Sequence, residues 1–372
     1  MNITHLKCEQ RRTFPARYSG IFRCTLVILS IFSFLSGPAY AAAFGMLTDN
    51  ESDELRLFDA STGIVVARLQ GSPGRIQGDC TMSQDETRGF SSHANHKVSV
   101  FQFAETAIGQ SANLTSIDIS NAGVDMSLSP DGGLLVATGA GNVGQPLSII
   151  DTVSLKEVAT IAPFLDHTSA EFCDDGTLLI TTTFGNSFTP PFDYAMYDAT
   201  VSPVGELQLG GNRLSSGAQP NNGSCAPGSK SGVLLDRESG LTSFTLPGLR
   251  KVDFATLGGG IAVAAVFNLS GDRLYVRTTV TVEAFNFNPV TGTLEADWIL
   301  PVPNSAEFFG IDQIAIDPDS GRLYVDGDRK LLILDPENGQ QTGLVQAGDA
   351  TGVCFAQRQP HFPHHELAFT AP

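Results

Sequence analysis

The chain contains few charged residues and lacks the short motifs that mark several common enzyme classes. Charged residues make up 16% of its 372 residues, with a single Trp and five Met. It has no Cys-x-x-Cys-His, no Gly-x-Ser-x-Gly, no phosphate-binding loop and no His-Glu-x-x-His. These absences argue against a c-type haem protein, a serine hydrolase of the usual fold, an NTPase and a zinc protease.

Positive charge is also scarce. Lys and Arg number 22 against 39 Asp and Glu, which gives a formal net charge of −17. Outside the first forty-odd residues no run of Lys or Arg occurs. Phosphate-rich partners need a basic patch, so we predict no nucleic acid and no anionic membrane surface as partner.

The first forty-odd residues have the features of an export signal. Four arginines precede an apolar run from Cys24 to Leu35, and Ala39-Tyr40-Ala41 follows as a small-x-small cleavage site. The run is too short to span a membrane. We predict a signal peptide over 1–41, no membrane span after its removal, and a periplasmic or secreted mature protein. An uncleaved anchor is the alternative.

A short phrase recurs along the rest of the chain: an apolar run, an Asp or Asn, and a few turn residues that often end in Gly. The runs end at Asp59, Asp151, Asp198, Asn288 and Asp335, with separations of 92, 47, 90 and 47 residues. The underlying period is about 46 residues, which is typical of propeller blades. The 38 Gly, 20 Pro and 24 Phe agree with a turn-rich β protein.

Each later unit holds four predicted strands, whereas the first holds only three. Thr351–Ala356 reads as a lone first strand after the last complete unit. If it joins the amino-terminal unit, the ring closes and no sheet edge stays open. We therefore predict an all-β, seven-bladed β-propeller over 42–357, followed by a flexible tail over 358–372. A ring of six or eight blades is the alternative, because the second and fifth units are poorly marked.

Two stretches resemble a known family. Residues 128–161, which begin Leu-Ser-Pro-Asp-Gly-Gly-Leu-Leu-Val-Ala-Thr, are similar to a YVTN-type propeller repeat, as are residues 317–345. Asn268–Trp298 resembles the blades of lactonase-like propellers. The resemblance places the chain near the quinoprotein amine dehydrogenase β-chain-like superfamily. It rests on turn and strand residues, which specify a blade and not a reaction.

The four cysteines of the mature chain fall on predicted first strands. Cys80 lies in unit two, Cys173 in unit four, Cys225 in unit five and Cys354 in the closing strand. Units one and two are neighbours, and so are four and five. We predict disulfides Cys80–Cys354 and Cys173–Cys225, as expected of an exported protein. Four buried free thiols are the alternative.

Ligands of propellers usually bind at a mouth of the central channel, where loops converge on a rigid frame. We place the site on the loops that enter the innermost strands, among them Gly210–Asn222. The resemblance to lactonases makes His167 the candidate general base, with Arg75, Arg213 and Asp312 beside it. Further ligand-binding candidates in these loops are Asp79, Asp125, Asp166, Glu307, Phe308 and Asp349.

Other interpretations of these residues stay open. Asp and His also cap turns in solvent, which is the commoner role of loop residues. We predict no metal and no cofactor, although Asp125, Asp166, Asp312 and Asp349 could bind Ca²⁺. His93 and His96 are interpreted as exposed loop histidines without a third metal ligand. His361, His364 and His365 of the tail could bind Cu²⁺ or Zn²⁺, but a flexible extension is favoured.

Three functions fit the sequence. The first is a non-catalytic, monomeric scaffold that binds a protein or a small ligand at the channel mouth. The second is a lactonase-like hydrolase or isomerase. The third, implied by the superfamily resemblance, is an accessory subunit of a periplasmic redox enzyme.

Overall fold

Short strands separated by polar turns account for nearly all of the chain that the computed structural model describes. It describes residues 44–49, 54–70, 76–85, 87–93, 95–103, 113–121, 123–139, 146–161, 169–182, 195–215, 220–236, 240–303, 314–327, 330–346 and 350–356. Within these ranges all regular structure is β. None of the described residues belongs to a helix that could cross a bilayer.

The 28 strands form seven antiparallel sheets of four, which we number as blades in chain order. Blade 1 holds β1 (Phe44–Asp49), β2 (Glu54–Asp59), β3 (Ile64–Gln70) and the last strand, β28 (Ala350–Phe355). Blade 2 holds β4 (Ile76–Met82), β5 (Arg88–His93), β6 (Lys97–Gln102) and β7 (Asn113–Asp118). Blade 3 holds β8 (Gly123–Leu128), β9 (Leu134–Gly139), β10 (Leu147–Asp151) and β11 (Lys156–Ile161). Blade 4 holds β12 (Ser169–Phe172), β13 (Leu178–Thr182), β14 (Ala195–Val201) and β15 (Leu207–Ser215).

The remaining three blades repeat the same pattern. Blade 5 holds β16 (Pro220–Cys225), β17 (Ser231–Asp236), β18 (Gly240–Thr245) and β19 (Arg250–Ala255). Blade 6 holds β20 (Ala262–Phe267), β21 (Arg273–Thr278), β22 (Thr281–Phe287) and β23 (Leu294–Pro301). Blade 7 holds β24 (Ile314–Ile316), β25 (Leu323–Gly327), β26 (Lys330–Leu334) and β27 (Gln341–Gln346).

The last strand closes the ring. Blade 1 has the strand order β28-β1-β2-β3, so the two ends of the propeller share one sheet. Strand β28 pairs antiparallel with β1, with Met46 opposite Cys354 and Leu47 opposite Val353. This pairing confirms the predicted ring closure and the count of seven blades.

Turn chemistry explains why the strands reverse where they do. In blade 3 the turn Ser129-Pro130-Asp131-Gly132 is closed by a hydrogen bond from Gly132 N to Ser129 O of 2.7 Å. Gly132 has a φ of +70°, a conformation that costs little only without a Cβ. The Asp131 carboxylate accepts from Ser129 Oγ at 2.7 Å and from Gly133 N at 3.0 Å. Because these bonds favour the ionised form, they hold the pKa of Asp131 below its usual value.

The hydrophobic core lies between the blades. Each pair of adjacent blades encloses one apolar cluster among the described residues, seven in all. The cluster between blades 7 and 1 contains Leu47, Phe58, Tyr324, Val353 and Phe355. The buried Tyr324 hydroxyl donates to Ala60 O at 2.6 Å, so its polar atom is satisfied. Strand β28 thus contributes to the core as well as to the sheet.

Candidate functional site

The seven first strands surround a central channel. Strands β28, β4, β8, β12, β16, β20 and β24 pack against one another in that order and return to β28. They enclose a cavity of about 230 Å³, to which every one of the seven contributes lining residues. Cavities that bind drug-sized ligands usually measure about 300–1,000 Å³, so this smaller one has room only for a smaller molecule.

The cavity extends to one particular face of the ring. We call the face where the first strands begin the upper face, and the face where they end the lower face. The turn between the first and second strands of a blade, here called the inner turn, lies on the lower face. Residues at or beside six inner turns line the cavity: Gln84, Pro130, Asp174, Pro227, Leu269 and Pro318. Several of them are exposed, so the cavity reaches the surface on the lower face.

The described lining is rich in oxygen atoms that accept hydrogen bonds. Hydroxyls and an amide come from Thr81, Ser127, Asn222 and Ser224, and carboxylates from Asp125, Glu171 and Asp174. Phe172, Phe267 and Phe355 supply aromatic surface. The described lining residues include no Lys, Arg or His. The described part of the wall is therefore negative, with apolar patches.

Buried carboxylates join neighbouring first strands to one another. Asp79 of blade 2 accepts from Met126 N of blade 3. Asp125 of blade 3 accepts from Ala170 N of blade 4 at 2.9 Å. When a buried backbone N–H of a first strand makes no hydrogen bond within its own sheet, it needs an acceptor such as these carboxylates.

Glu171 continues this series from blade 4 to blade 5. Its Oε1 accepts from Ser224 Oγ at 3.2 Å and from Cys225 N at 3.4 Å. Asp79 and Asp125, predicted as ligand residues, therefore have a structural task between blades. Their binding of a ligand stays a prediction.

Both predicted disulfides are present and lie in the channel wall. Cys80–Cys354 joins blade 2 to the closing strand with a Cα–Cα distance of 5.8 Å. Cys173–Cys225 joins blades 4 and 5 with a Cα–Cα distance of 5.4 Å. All four cysteines line the cavity. The pairing deduced from the repeat register is confirmed, and the alternative of four free thiols is wrong.

A polar collar surrounds the channel near the upper face. It is formed by buried side chains at the next-to-last position of six second strands: Thr48, Ser92, Thr138, Thr181, Arg277 and Asp326. Sequence reasoning missed these residues because it sought chemistry in loops. The available signal was a polar residue just before the end of six of the seven second strands.

Arg277 is the most unusual member of the collar, because it is a fully buried cation. Its guanidinium donates to Thr278 O at 2.5 Å and to Pro303 O at 3.0 Å. Burial lowers its pKa to about 10, and the Asp326 carboxylate opposes that shift. A cation is thus held beside the segment from Pro303 that leads into the predicted site loop.

His93 differs from its sequence-based interpretation. It was expected in an exposed loop, but it ends strand β5 and is fully buried. Its Nε2 lies 2.7 Å from Ser99 Oγ of strand β6, also fully buried. His96 is exposed in the turn, with a φ of 62°. The two imidazoles therefore occupy different environments.

Arg213 is the only predicted catalytic residue that the structure describes. The segment Gly210–Asn222 was expected to be a loop, but its first part completes β15 and its last part begins β16. Arg213 lies on β15, the outermost strand of blade 4, with its guanidinium 5.9 Å from the Tyr197 ring centroid. It is exposed and does not line the cavity.

Seven further predicted site residues lie outside the described part of the chain. These are Arg75, Asp166, His167, Glu307, Phe308, Asp312 and Asp349, together with the leader and the tail. Within the described ranges no three His, Cys, Asp or Glu side chains are grouped so as to hold a metal ion. The calcium alternative depends on Asp166, Asp312 and Asp349, and stays a prediction.

Comparison with solved structures places the chain among β-propellers. A functionally unknown protein from Desulfotomaculum acetoxidans is 16% identical, covers 85% of this chain and 99% of its own, and gives a TM-score of 0.74. A putative 6-phosphogluconolactonase from Bacteroides fragilis is 14% identical over 86% and 100%, with a TM-score of 0.67. The periplasmic gluconolactonase of Pseudomonas aeruginosa is 15% identical over 86% and 99%, with a TM-score of 0.66.

At these identities the likeness establishes the fold. No model of a known protein family matches the sequence, and no curated protein matches it either. The chain is a seven-bladed β-propeller whose structural neighbours include proteins named as lactonases.

Proposed function

We propose that this propeller is exported and binds a small, uncharged, hydroxyl-bearing ligand in its central channel. The observation that carries the proposal is the 230 Å³ cavity, whose described wall offers carboxylate and hydroxyl oxygens but no cation. Ligand hydroxyls donate to carboxylates in charge-assisted hydrogen bonds, which are the stronger kind. The phenylalanines offer flat apolar surface to the face of a sugar-like ring.

The sign of the charge narrows the class of ligand. An anionic ligand would have to enter beside Asp125, Glu171 and Asp174 without a compensating cation from the described wall. An uncharged sugar or sugar lactone avoids this cost. Among the compounds named for the structural neighbours, a gluconolactone fits this cavity better than its 6-phosphate.

Export is part of the same proposal. The two disulfides need an oxidising compartment to persist, and the amino-terminal residues carry the pattern of a signal peptide. One structural neighbour is named as a periplasmic protein. These features together support a periplasmic or extracellular location.

A cavity-filling variant tests the binding proposal. We expect calorimetric titration of the mature protein to detect the binding of D-glucose or 1,5-anhydroglucitol. Glucose 6-phosphate should bind at least ten times more weakly. Ala265 is half-buried and lines the cavity, so Ala265→Phe should abolish the binding of all three by filling the space.

The control is Val290→Phe, which adds the same ring at a site that is 86% exposed on a peripheral turn. It should bind like the wild type. Tighter binding of the phosphorylated sugar, or unchanged binding in Ala265→Phe, would refute the proposal. So would a wild type that binds none of the three compounds.

A second candidate function is lactone opening at the upper face. It is favoured by the polar collar, where Arg277 supplies a buried cation at the same end of the ring as the predicted loop of His167. Here His167 would act as general base, with Arg75 and Asp312 beside it. The third function, an accessory role in a redox enzyme, stays a prediction from the superfamily resemblance.

Lactone hydrolysis separates the first two functions. If the second is correct, purified protein should hydrolyse glucono-1,5-lactone above the spontaneous rate. His167→Ala should then lower kcat by a factor of roughly 100 to 10,000, the usual contribution of a general base. Hydrolysis at the spontaneous rate, or equal turnover by both proteins, rejects the lactonase function and leaves binding untouched.

A further inference from the structure

Arginines fill several of the grooves between blades on the lower face. They occupy one position of the repeat, the residue whose carbonyl accepts the hydrogen bond that closes the inner turn. Each reaches the turn between the third and fourth strands of the next blade, here called the outer turn. Arg88 Nη1 lies 2.5 Å from Thr152 O, Arg273 Nη2 lies 3.1 Å from Glu337 O, and Arg322 Nη1 lies 3.3 Å from Ser61 O.

A shorter side chain makes the same contact between blades 5 and 6. Ser231 stands at the equivalent position, and its Oγ donates to Pro289 O at 2.8 Å. Among the described residues, four of the seven junctions therefore use this one position to bind a carbonyl of the following outer turn. The repeat has a standard way of filling the groove.

Blade 3 breaks this rule. Leu134 stands at the equivalent position, since its carbonyl accepts from Ser129 N, and a leucine cannot donate to the next outer turn. Between blades 3 and 4 there is an open groove of about 390 Å³. It runs from residues shared with the channel wall, Pro130 and Phe172, to Val153 and Pro203 in the two outer turns.

The walls of this groove are acidic. Asp131, Asp151, Asp174 and Asp175 line it, and no Lys or Arg is among its described lining residues. Hydrogen bonds from Ser154 N and Val153 N hold the pKa of Asp151 below its usual value, as the bonds described above do for Asp131. Both carboxylates are thus ionised at neutral pH.

Apolar side chains border the charged ones. Val153 is 79% exposed, and Val204, next to Pro203 in the outer turn of blade 4, is 71% exposed. A guanidinium needs carboxylates and carbonyls around its planar end and tolerates apolar contact along its stem. The groove offers both.

We propose that this groove, between blades 3 and 4, binds an arginine side chain presented by a partner polypeptide. The same chain already places a guanidinium at the equivalent point of three other junctions, which shows that this geometry accepts it. The partner's arginine would occupy the space that Leu134 leaves open and donate to the carbonyls of the outer turn of blade 4. Arginine fits better than lysine because carbonyl and carboxylate acceptors lie on both sides of the groove.

Fluorescence anisotropy with defined peptides tests the proposal. The probe is a labelled, end-capped pentapeptide in which one arginine lies between two valines. The control peptide has citrulline in place of that arginine. Citrulline keeps the shape of the side chain but has no charge. We expect the wild type to bind the arginine peptide at least ten times more tightly than the citrulline peptide. The difference should shrink as salt is raised.

Leu134→Arg should abolish the binding of the arginine peptide, because the protein then fills its own groove as blades 2, 6 and 7 do. Val290→Arg adds the same charge at an exposed turn of blade 6 and should bind like the wild type. If Leu134→Arg does not fold, the double variant Asp151→Asn/Asp175→Asn replaces it, with an expected loss of at least tenfold.

Three results would overturn the proposal. They are equal binding of the two peptides, unchanged binding in the folded Leu134→Arg variant or in its substitute, and no binding by the wild type. Sedimentation tests whether a second copy of this chain occupies the groove instead. A wild type that self-associates, with a Leu134→Arg variant that does not, would assign the groove to a second copy of this chain.

Discussion

A chain that ends at Asp349 will not fold into a stable propeller. It lacks β28, which supplies the first strand of blade 1 and buries Val353, Cys354 and Phe355. Losing a buried phenylalanine and a buried valine costs about 5 kcal/mol or more, before the ladder with β1 is counted. Native domains are stable by only about 5–15 kcal/mol. The truncated protein should therefore show no cooperative unfolding transition in urea when followed by circular dichroism.

The matched control is a chain that ends at Gln357, which keeps β28 and Ala356. It should unfold at the same urea concentration as the full-length mature protein. Val353→Ala gives an intermediate case, with an expected loss of roughly 1–3 kcal/mol for a buried valine that packs against Leu47 and Tyr324. A cooperative, wild-type transition in the chain that ends at Asp349 would contradict ring closure by β28.

Removing the Cys80–Cys354 disulfide should destabilise the protein more than removing Cys173–Cys225. The first bond closes a separation of 274 residues and the second one of 52. In the chain-entropy model a longer loop restricts the unfolded chain more, so the two losses should differ by about 1.5 kcal/mol. The absolute losses should be about 5.6 and about 4.1 kcal/mol in that model.

Each disulfide is removed by replacing both of its cysteines with alanine. The two variants then lose the same atoms, so their free energies of unfolding can be compared directly. Guanidinium unfolding of Cys80→Ala/Cys354→Ala and of Cys173→Ala/Cys225→Ala gives the two free energies. Under reducing conditions the difference between them should vanish. An equal loss for both pairs, or a larger loss for the second, would mean that the first bond does not close the long loop.

Local turn and strand signals were enough to predict the blades. Ser-Pro-Asp-Gly between two apolar runs, for example, strongly favours a turn at that point. The lone strand at Thr351–Ala356 was recognisable because an open sheet edge needs a partner. The cysteine pairing followed once each cysteine had been assigned to a blade.

The site was harder to predict, because its features depend on contacts between blades. Asp79 and Asp125 are polar residues near strand starts, and the sequence does not reveal that the next blade donates an N–H to each of them. Gly210 and Gly211 suggested a loop, although the backbone continues as β15 beside Asp198. The sequence suggested a loop position for His93. Its burial depends on the register of β5 with β6, which the sequence does not show.

The acidity of the channel has a structural origin. Asp125 and Glu171 line the cavity and also accept hydrogen bonds from the neighbouring blade. Their charge therefore serves to hold first strands together at the centre of the ring. A ligand that enters the channel meets these oxygens already oriented by the fold, which lowers the cost of ordering them on binding.

Peptide mapping of the purified mature protein without reductant tests the closed ring most directly. Because Cys80 and Cys354 stand at opposite ends of the propeller sequence, a bond between them requires the last strand to lie beside blade 2. The account predicts two cross-linked peptide pairs, Cys80 with Cys354 and Cys173 with Cys225. Four alkylated free thiols, or a bond between Cys80 and Cys173, would contradict it.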